Sequence, residues 1–230
     1  MHTQKMIAAI VVTVLLAAIA VAVGLMVWLG WMAGLVLSVA AIALLIAAYI
    51  WLIKPWHLRW GATDAEVARQ MPGDDLISNA GRATHAITIA AEAEEIWPWL
   101  VQLGFGRAGW YSYDWIDNDF RPSADRILPE HQHLAAGDEI LMAPGMGLTV
   151  ISVDPPRSFV SRMDDDSSSW CLALYPETGG GTRLVSRWRP KLEVPLVALA
   201  FIEPGAFIME RKMLRTIRDS VESAGATATR

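Results

Sequence analysis

From Met6 to Ile53 the chain runs for 48 residues without an Asp, Glu, Lys, Arg or His. One membrane-spanning helix takes about 20 apolar residues, within a range of about 17–25. The run is too long for one span and suits two. Its middle, Trp28-Leu-Gly-Trp-Met-Ala-Gly34, offers glycines for a tight reversal and tryptophans for the membrane–water interface. This predicts a helical hairpin, Met6–Leu29 and Met32–Ile53, with almost no loop. A signal peptide fits worse, because its apolar core is only about 7–15 residues. A soluble domain of this size would struggle to hide such a run. Lys5 stands before the run and Lys54 and Arg59 after it. Positive flanks stay cytoplasmic, so a cell-membrane protein is expected, with both termini and the following domain in the cytosol.

Only Lys5 of the 19 basic residues precedes residue 54, and none of the 24 acidic ones does, which leaves residues 54–230 at a net charge of −6. An acidic domain repels phosphate backbones, so nucleic acid is not an expected partner. The single cysteine, Cys171, excludes an internal disulfide and agrees with a reducing compartment. The remaining length suffices for one ordinary domain with its own core. The expected division is a hairpin over 1–53, a juxtamembrane linker over 54–75, a folded domain over 76–224 and a flexible tail over 225–230.

Along the chain, Trp56 and Trp60 flank Arg59 as an interfacial collar. Thr63-Asp-Ala-Glu66 has capping-box spacing, which predicts a short helix stopping at Met71-Pro72-Gly73. From Ala83, residues His85, Ile87 and Ile89 alternate with Thr84, Ala86 and Thr88, the pattern of a half-buried strand. Glu92–Leu103 begins acidic and carries Ile96, Leu100 and Leu103 at helical spacing, with Pro98 expected to kink or shorten the helix. Short strands follow at Glu139–Ala143, Leu148–Asp154, Ser158–Met163, Ser168–Tyr175 and Thr182–Arg189, an antiparallel meander. A final helix is expected from Pro204, with Ala206, Met209, Met213 and Ile217 on its apolar stripe. Arg215–Asp219 and Arg218–Glu222 sit at i, i+4 on its polar side.

Several strings resemble a bacterial branch of the SRPBCC superfamily, the START-like and Bet v 1-like domains that include polyketide cyclase/dehydrase-type proteins. They are Ile96-Trp-Pro-Trp-Leu-Val-Gln-Leu-Gly104, Gly109-Trp-Tyr-Ser-Tyr-Asp-Trp115, Ser123-Ala-Asp-Arg-Ile-Leu-Pro-Glu130 and Glu203-Pro-Gly-Ala-Phe-Ile-Met-Glu-Arg-Lys-Met213. The resemblance covers about 61–222 and implies an α+β helix-grip fold, a curved antiparallel sheet around a long C-terminal helix. It also implies a cavity between the two, where periodicity alone would allow a filled core. It carries no catalytic set.

Gly104-Phe-Gly-Arg-Ala-Gly109 matches the dinucleotide fingerprint but follows a helix instead of a strand, so a nucleotide is not expected. Glu130-His-Gln-His133 could offer metal ligands, though it lies in a Pro- and Gly-bounded loop. Asp114, Asp117 and Asp125 with Arg126 could form an acid/base group. His85 and Cys171 read as structural. No metal and no cofactor is called for, and the oligomeric state is open. Trp110, Tyr111, Tyr113 and Asp114 are the expected ligand-binding residues, aromatic area with polar groups to orient a ligand, preceded by flexible glycines. The same aromatics would also serve as core. The functional expectation is a hydrophobic small molecule or lipid bound beside the membrane. The alternatives are a cyclase/dehydratase acting on a membrane-soluble substrate and a tethered interaction module without ligand.

The flanking charges make the topology testable. A reporter fused after Arg230 should be active only in the cytosol; activity confined to the outside would reverse the assignment.

Overall fold

A computed structural model describes residues 2–191 and 196–228. The chain divides into two compact units, Met1–Trp56 and His57–Arg230. In the first, α1 (His2–Leu29) and α2 (Trp31–Ala48) are separated only by Gly30, whose φ of 86° breaks the helix. A π-helical turn at Tyr49–Ile53 and α3 (Lys54–His57) continue α2. The two long helices touch at small residues. A Cβ on Gly34 would sit 2.4 Å from Met26 Cα, and Ser38 Oγ donates 2.8 Å to the Gly34 carbonyl. Small residues allow such close approach where the surroundings are as apolar as the helices. The outward faces keep Val27, Trp28 and Trp51 at 82%, 81% and 76% exposure. Val12–Leu29 and Trp31–His57 are long and apolar enough to cross a membrane.

The second unit is a six-stranded antiparallel sheet with spatial order β1-β6-β5-β4-β3-β2. Its strands are β1 (Ala83–Ile89), β2 (Glu139–Ala143), β3 (Met146–Asp154), β4 (Ser158–Met163), β5 (Ser168–Pro176) and β6 (Thr182–Pro190). Register shifts at Leu141/Ala143 and Val150/Ser152 bend the sheet. On one face lie α5 (Ala93–Val101) and the long C-terminal α7 (Leu196–Ala228). Ile89, Ile96, Leu100, Leu148, Phe159, Leu172, Leu184, Leu214 and Ile217 fill the space between. This is the helix-grip architecture. The sheet's other face carries a smaller cluster of Met71, Ala86, Val160, Cys171, Ala173 and Val185.

That second cluster changes the reading of the segment after the hairpin. Expected as a linker, residues 57–77 are part of the domain. The Leu58 and Trp60 carbonyls accept from the Thr84 and Ala86 amides, which covers the open edge of β1. α4 (Asp64–Ala68) has the expected capping box but ends earlier than Met71. Arg187 explains where it ends. Its guanidinium, with the residue 1% exposed, donates to the carbonyls of Glu66 (2.6 Å), Val67 (3.2 Å) and Arg69 (2.6 Å). It also meets Asp74 Oδ2 at 2.8 Å and Thr84 Oγ1 at 3.1 Å. The last carbonyls of α4 are thus satisfied from the sheet. Arg183 grips Glu66 at 2.6 Å and Arg189 reaches Asp74 at 3.3 Å.

Other expectations shift for related reasons. β1 is buried on both sides at Thr84, His85, Ala86 and Ile87, because α4 and its flanks cover the face assigned to solvent. α5 runs through Pro98 to Val101, and its N-terminus is closed by a Glu92/Glu95 capping box. α7 starts at Leu196, ahead of Pro204, on a helix-favouring Leu/Ala run. Its buried stripe is Phe207, Met213, Leu214, Ile217 and Val221, whereas Ala206 is exposed. Neither i, i+4 ion pair forms. Arg218 pairs with Asp219 at 2.7 Å, and Glu222 accepts the Ala90 amide at 2.9 Å.

Removing a guanidinium from a buried ionic cluster typically costs about 3–5 kcal/mol, because the carboxylate and carbonyls left behind remain dry. Arg187→Met should therefore lower the unfolding free energy of the domain by about that amount, measured by denaturant titration of tryptophan fluorescence. A loss below about 1 kcal/mol would mean that water reaches these groups.

Candidate functional site

Because side chains alternate along a strand, β6 turns Ser186 toward α7 and Arg187 away from it. Ser186 pairs in register with His85 of β1 and Leu172 of β5. α7 presents Glu210 to the same spot, between Phe207 and Met213 on its buried stripe. His85 is 2% exposed, and its Nδ1 lies 2.9 Å from Glu210 Oε2. Its Nε2 lies 2.7 Å from the His57 carbonyl. Ser186 Oγ donates a short hydrogen bond to Glu210 Oε1 and accepts 2.8 Å from Trp170 Nε1. A continuous polar chain thus runs from the His57 carbonyl through His85, Glu210 and Ser186 to Trp170.

Its walls are aromatic. The Phe207 ring lies 5.5 Å from both His57 and His85 and 6.3 Å from Trp60. Trp170 stands 5.8 Å from Trp110, 6.1 Å from Phe159 and 6.0 Å from Trp188. The Trp110 indole N–H is buried and has no hydrogen-bond partner among the described residues.

The protonation state follows from geometry. Both ring nitrogens of His85 face acceptors, a carbonyl and a carboxylate, and only imidazolium can donate to both. Burial pushes the His85 pKa down, but the Glu210 charge, its hydrogen bond and the His57 carbonyl outweigh it, and the net shift is upward from 6.5. Burial likewise works against an ionised Glu210, and His85 and Ser186 reverse it, holding the carboxyl below 4.5. The site is an ion pair in an apolar setting.

The four residues expected to bind ligand are divided. Trp110 reaches the chain through Trp170, while Tyr111 (φ 54°, 2% exposed) turns its hydroxyl to Gln102. Tyr113 and Asp114 are half-buried. Lys212 Nζ sits 4.9 Å over the Tyr113 ring, and Ser123 Oγ donates 2.6 Å to Asp114. Asp114 and Asp117 share α6 (Asp114–Asp117), where burial lifts Asp117 to about 6. Asp125 lies apart, in an open groove with Trp99 and Asp219, and the Arg126 carbonyl serves Gln102. Gly104 and Gly109 pair with each other to close a turn, into which Arg107 folds back onto the Val101 carbonyl. Among the described residues no three His, Cys, Asp or Glu gather to hold a metal. Cys171 is buried, and desolvation raises its thiol to about 12.

Glu210 is the residue that sequence reasoning passed over. One signal existed: it stands three residues from both Phe207 and Met213, a charge within an apolar stripe.

No family model matches the chain. No curated protein matches it significantly either. Solved structures do resemble it. Bacillus halodurans protein BH1534 shares 15% identity over 63% of this chain and 100% of its own, with a TM-score of 0.42. The AHSA1-like protein of Aeromonas hydrophila gives 17%, 63%, 94% and 0.37. The Polyketide_cyc-like protein Cgl2372 of Corynebacterium glutamicum gives 16%, 64%, 91% and 0.33. Sheet order and gripping helix define the class to which this domain belongs, the helix-grip proteins, here behind an N-terminal pair of apolar helices. Its structural neighbours are polyketide cyclase-like and AHSA1-like proteins.

The ion pair links stability to pH with a defined sign. His85 has a raised pKa, so its contribution is complete below 6.5 and is lost as pH rises through the folded-state value. Glu210 has a lowered one, so its contribution is complete above 4.5 and is lost as pH falls through the folded-state value. The unfolding midpoint should therefore decline as pH rises above 6.5 and through the folded-state value of His85, and Glu210→Gln should remove the His85 part of that decline. An NMR titration placing His85 at or below 6.5 would contradict the assignment.

Proposed function

We propose that this protein is a membrane-anchored helix-grip domain that binds a hydrophobic small molecule or lipid between the sheet and α7. One observation carries the reading: a His–Glu–Ser polar chain, walled by tryptophans and Phe207, lies where the fold grips its helix. Burying two opposite charges costs several kcal/mol each, and well-packed apolar residues would stabilise the core as well or better. Ionisable groups held at such a cost mark functional sites more often than ordinary core. A pocket of aromatic area with a few convergent polar groups suits a mostly apolar ligand carrying a hydroxyl, carbonyl or carboxyl.

In this reading His85, Glu210 and Ser186 meet the ligand's polar end, and Trp110 contributes wall. Tyr113 and Asp114 flank the rim, with Tyr111 bracing the turn behind them. Side chains occupy the space in the present conformation, so a ligand enters as Phe207 or Trp110 swings aside. The apolar hairpin supports a source for it, because apolar molecules concentrate in the bilayer.

A catalytic reading draws on the same pair. An imidazolium backed by a carboxylate can serve as a general acid, which suits a cyclase or dehydratase acting on a membrane-soluble substrate. Mass spectrometry of organic extracts from the purified full chain tests the first reading. One class of apolar compound should be enriched over extracts of an unrelated membrane protein from the same cells. Trp110→Ala and Glu210→Gln should deplete it while the domain stays folded. Extracts indistinguishable from the control would refute binding, and conversion of the recovered compound by the protein would establish the enzyme.

A further inference from the structure

We propose that Trp60, Arg211 and Arg215 form a clamp for the phosphate of an anionic phospholipid headgroup. The inference rests on the membrane anchoring proposed above and adds a partner to it. Arg211 and Arg215 are one helical turn apart on α7, with their guanidinium carbons 5.2 and 5.5 Å from the same Trp60 ring. Lys212 lies between them in sequence, over Tyr113. Like charges at i, i+4 repel on a helix. Among the described residues no carboxylate forms an ion pair with any of the three, although residues 54–230 carry 24 acidic side chains. The neighbouring Glu210 is committed to His85 and Ser186. Arg211 Nε is buried and has no hydrogen-bond partner among the described residues. Two guanidiniums stacked on one indole, with donors unspent, fit an anion between them, and their planar forks match phosphate oxygens.

Chain connectivity selects a lipid as the source. Trp60 follows His57, the end of the second apolar segment, by three residues. Three residues reach at most about 11 Å, and the headgroup layer is about 5–7 Å deep on each side of the hydrocarbon. With that segment in a bilayer, Trp60 lies at or beside the phosphates, where indole rings prefer to reside. An acidic domain would otherwise be pushed from an anionic leaflet, and this cation cluster reverses the sign locally.

The test uses the full chain, inserted into phosphatidylcholine vesicles containing a minority of phosphatidylglycerol and re-extracted in mild detergent. Lipids that stay with the protein are quantified by mass spectrometry. The unaltered protein should retain phosphatidylglycerol above its bulk ratio. The excess should fall by about fivefold for each arginine removed in Arg211→Gln and Arg211→Gln/Arg215→Gln. On the unaltered protein, raising salt should shrink the excess, a measurement independent of whether the variants fold. Enrichment equal in the unaltered protein and a folded double variant, or absent from inserted protein, overturns the clamp alone. Enrichment abolished by added inorganic phosphate at constant ionic strength assigns the site to free phosphate and overturns the lipid. Failure to insert overturns the anchoring and the clamp together.

Discussion

The buried guanidinium of Arg187 is the contact on which the rest of the domain depends. It reaches three carbonyls, one carboxylate and one hydroxyl while almost entirely dry. Burial pushes its pKa down and Asp74 opposes the shift. Without it the Glu66 and Arg69 carbonyls would lose this donor, whereas the Val67 carbonyl keeps Arg82 and Asp74 Oδ2 keeps the Met71 amide. The fold of residues 57–77 follows from that geometry. α4 ends where Arg187 collects its carbonyls, and Asp74 is fixed between Arg187 and Arg189. Met71 then packs on Val160 and Cys171. The stretch is held by these hydrogen bonds together with the small cluster in which Met71 takes part and against which Ala62 and Leu76 pack.

The next residue back along β6 does the opposite job. Ser186 faces the interior and links Glu210 to Trp170, so the strand's two-residue period ties the outer latch to the inner polar chain. The two charged systems differ in what satisfies them. Arg187 has more acceptors than it has nitrogens, a saturated arrangement suited to structure. His85 and Glu210 are joined by one contact at 2.9 Å, and the Glu210 side chain remains 16% exposed. At the far end of the chain, against Trp170, the Trp110 N–H has no acceptor among the described residues.

Local pattern carried much of this architecture, and long-range pairing carried the rest. The hairpin was readable because absence of charge over 48 residues is a one-dimensional signal. β1, β2 and β4 begin and end where alternation and turn residues place them. The start of α7 was missed because Pro204 suits a first turn, whereas the apolar run before it is already helical. The stripe of α7 was placed correctly at Met213 and Ile217 and one residue off at its start, where Phe207 is buried and Ala206 is exposed. Arg187 and Glu66 stand 121 residues apart, and nothing local in either announces the other. For the same reason His85 could be placed on a strand but not given a partner.

The segment after the hairpin therefore has three roles in one short stretch. His57 supplies the carbonyl that accepts from His85, and Trp60 pairs with the edge of β1 while meeting Phe207 edge to face. Glu66 and Asp74 lock the outer face through Arg183, Arg187 and Arg189. Within the domain, His57 and Trp60 stand at one end of the polar chain. Any force on His57 is felt at His85 Nε2 through a single hydrogen bond, and any movement of Phe207 is felt at Trp60 through ring contact.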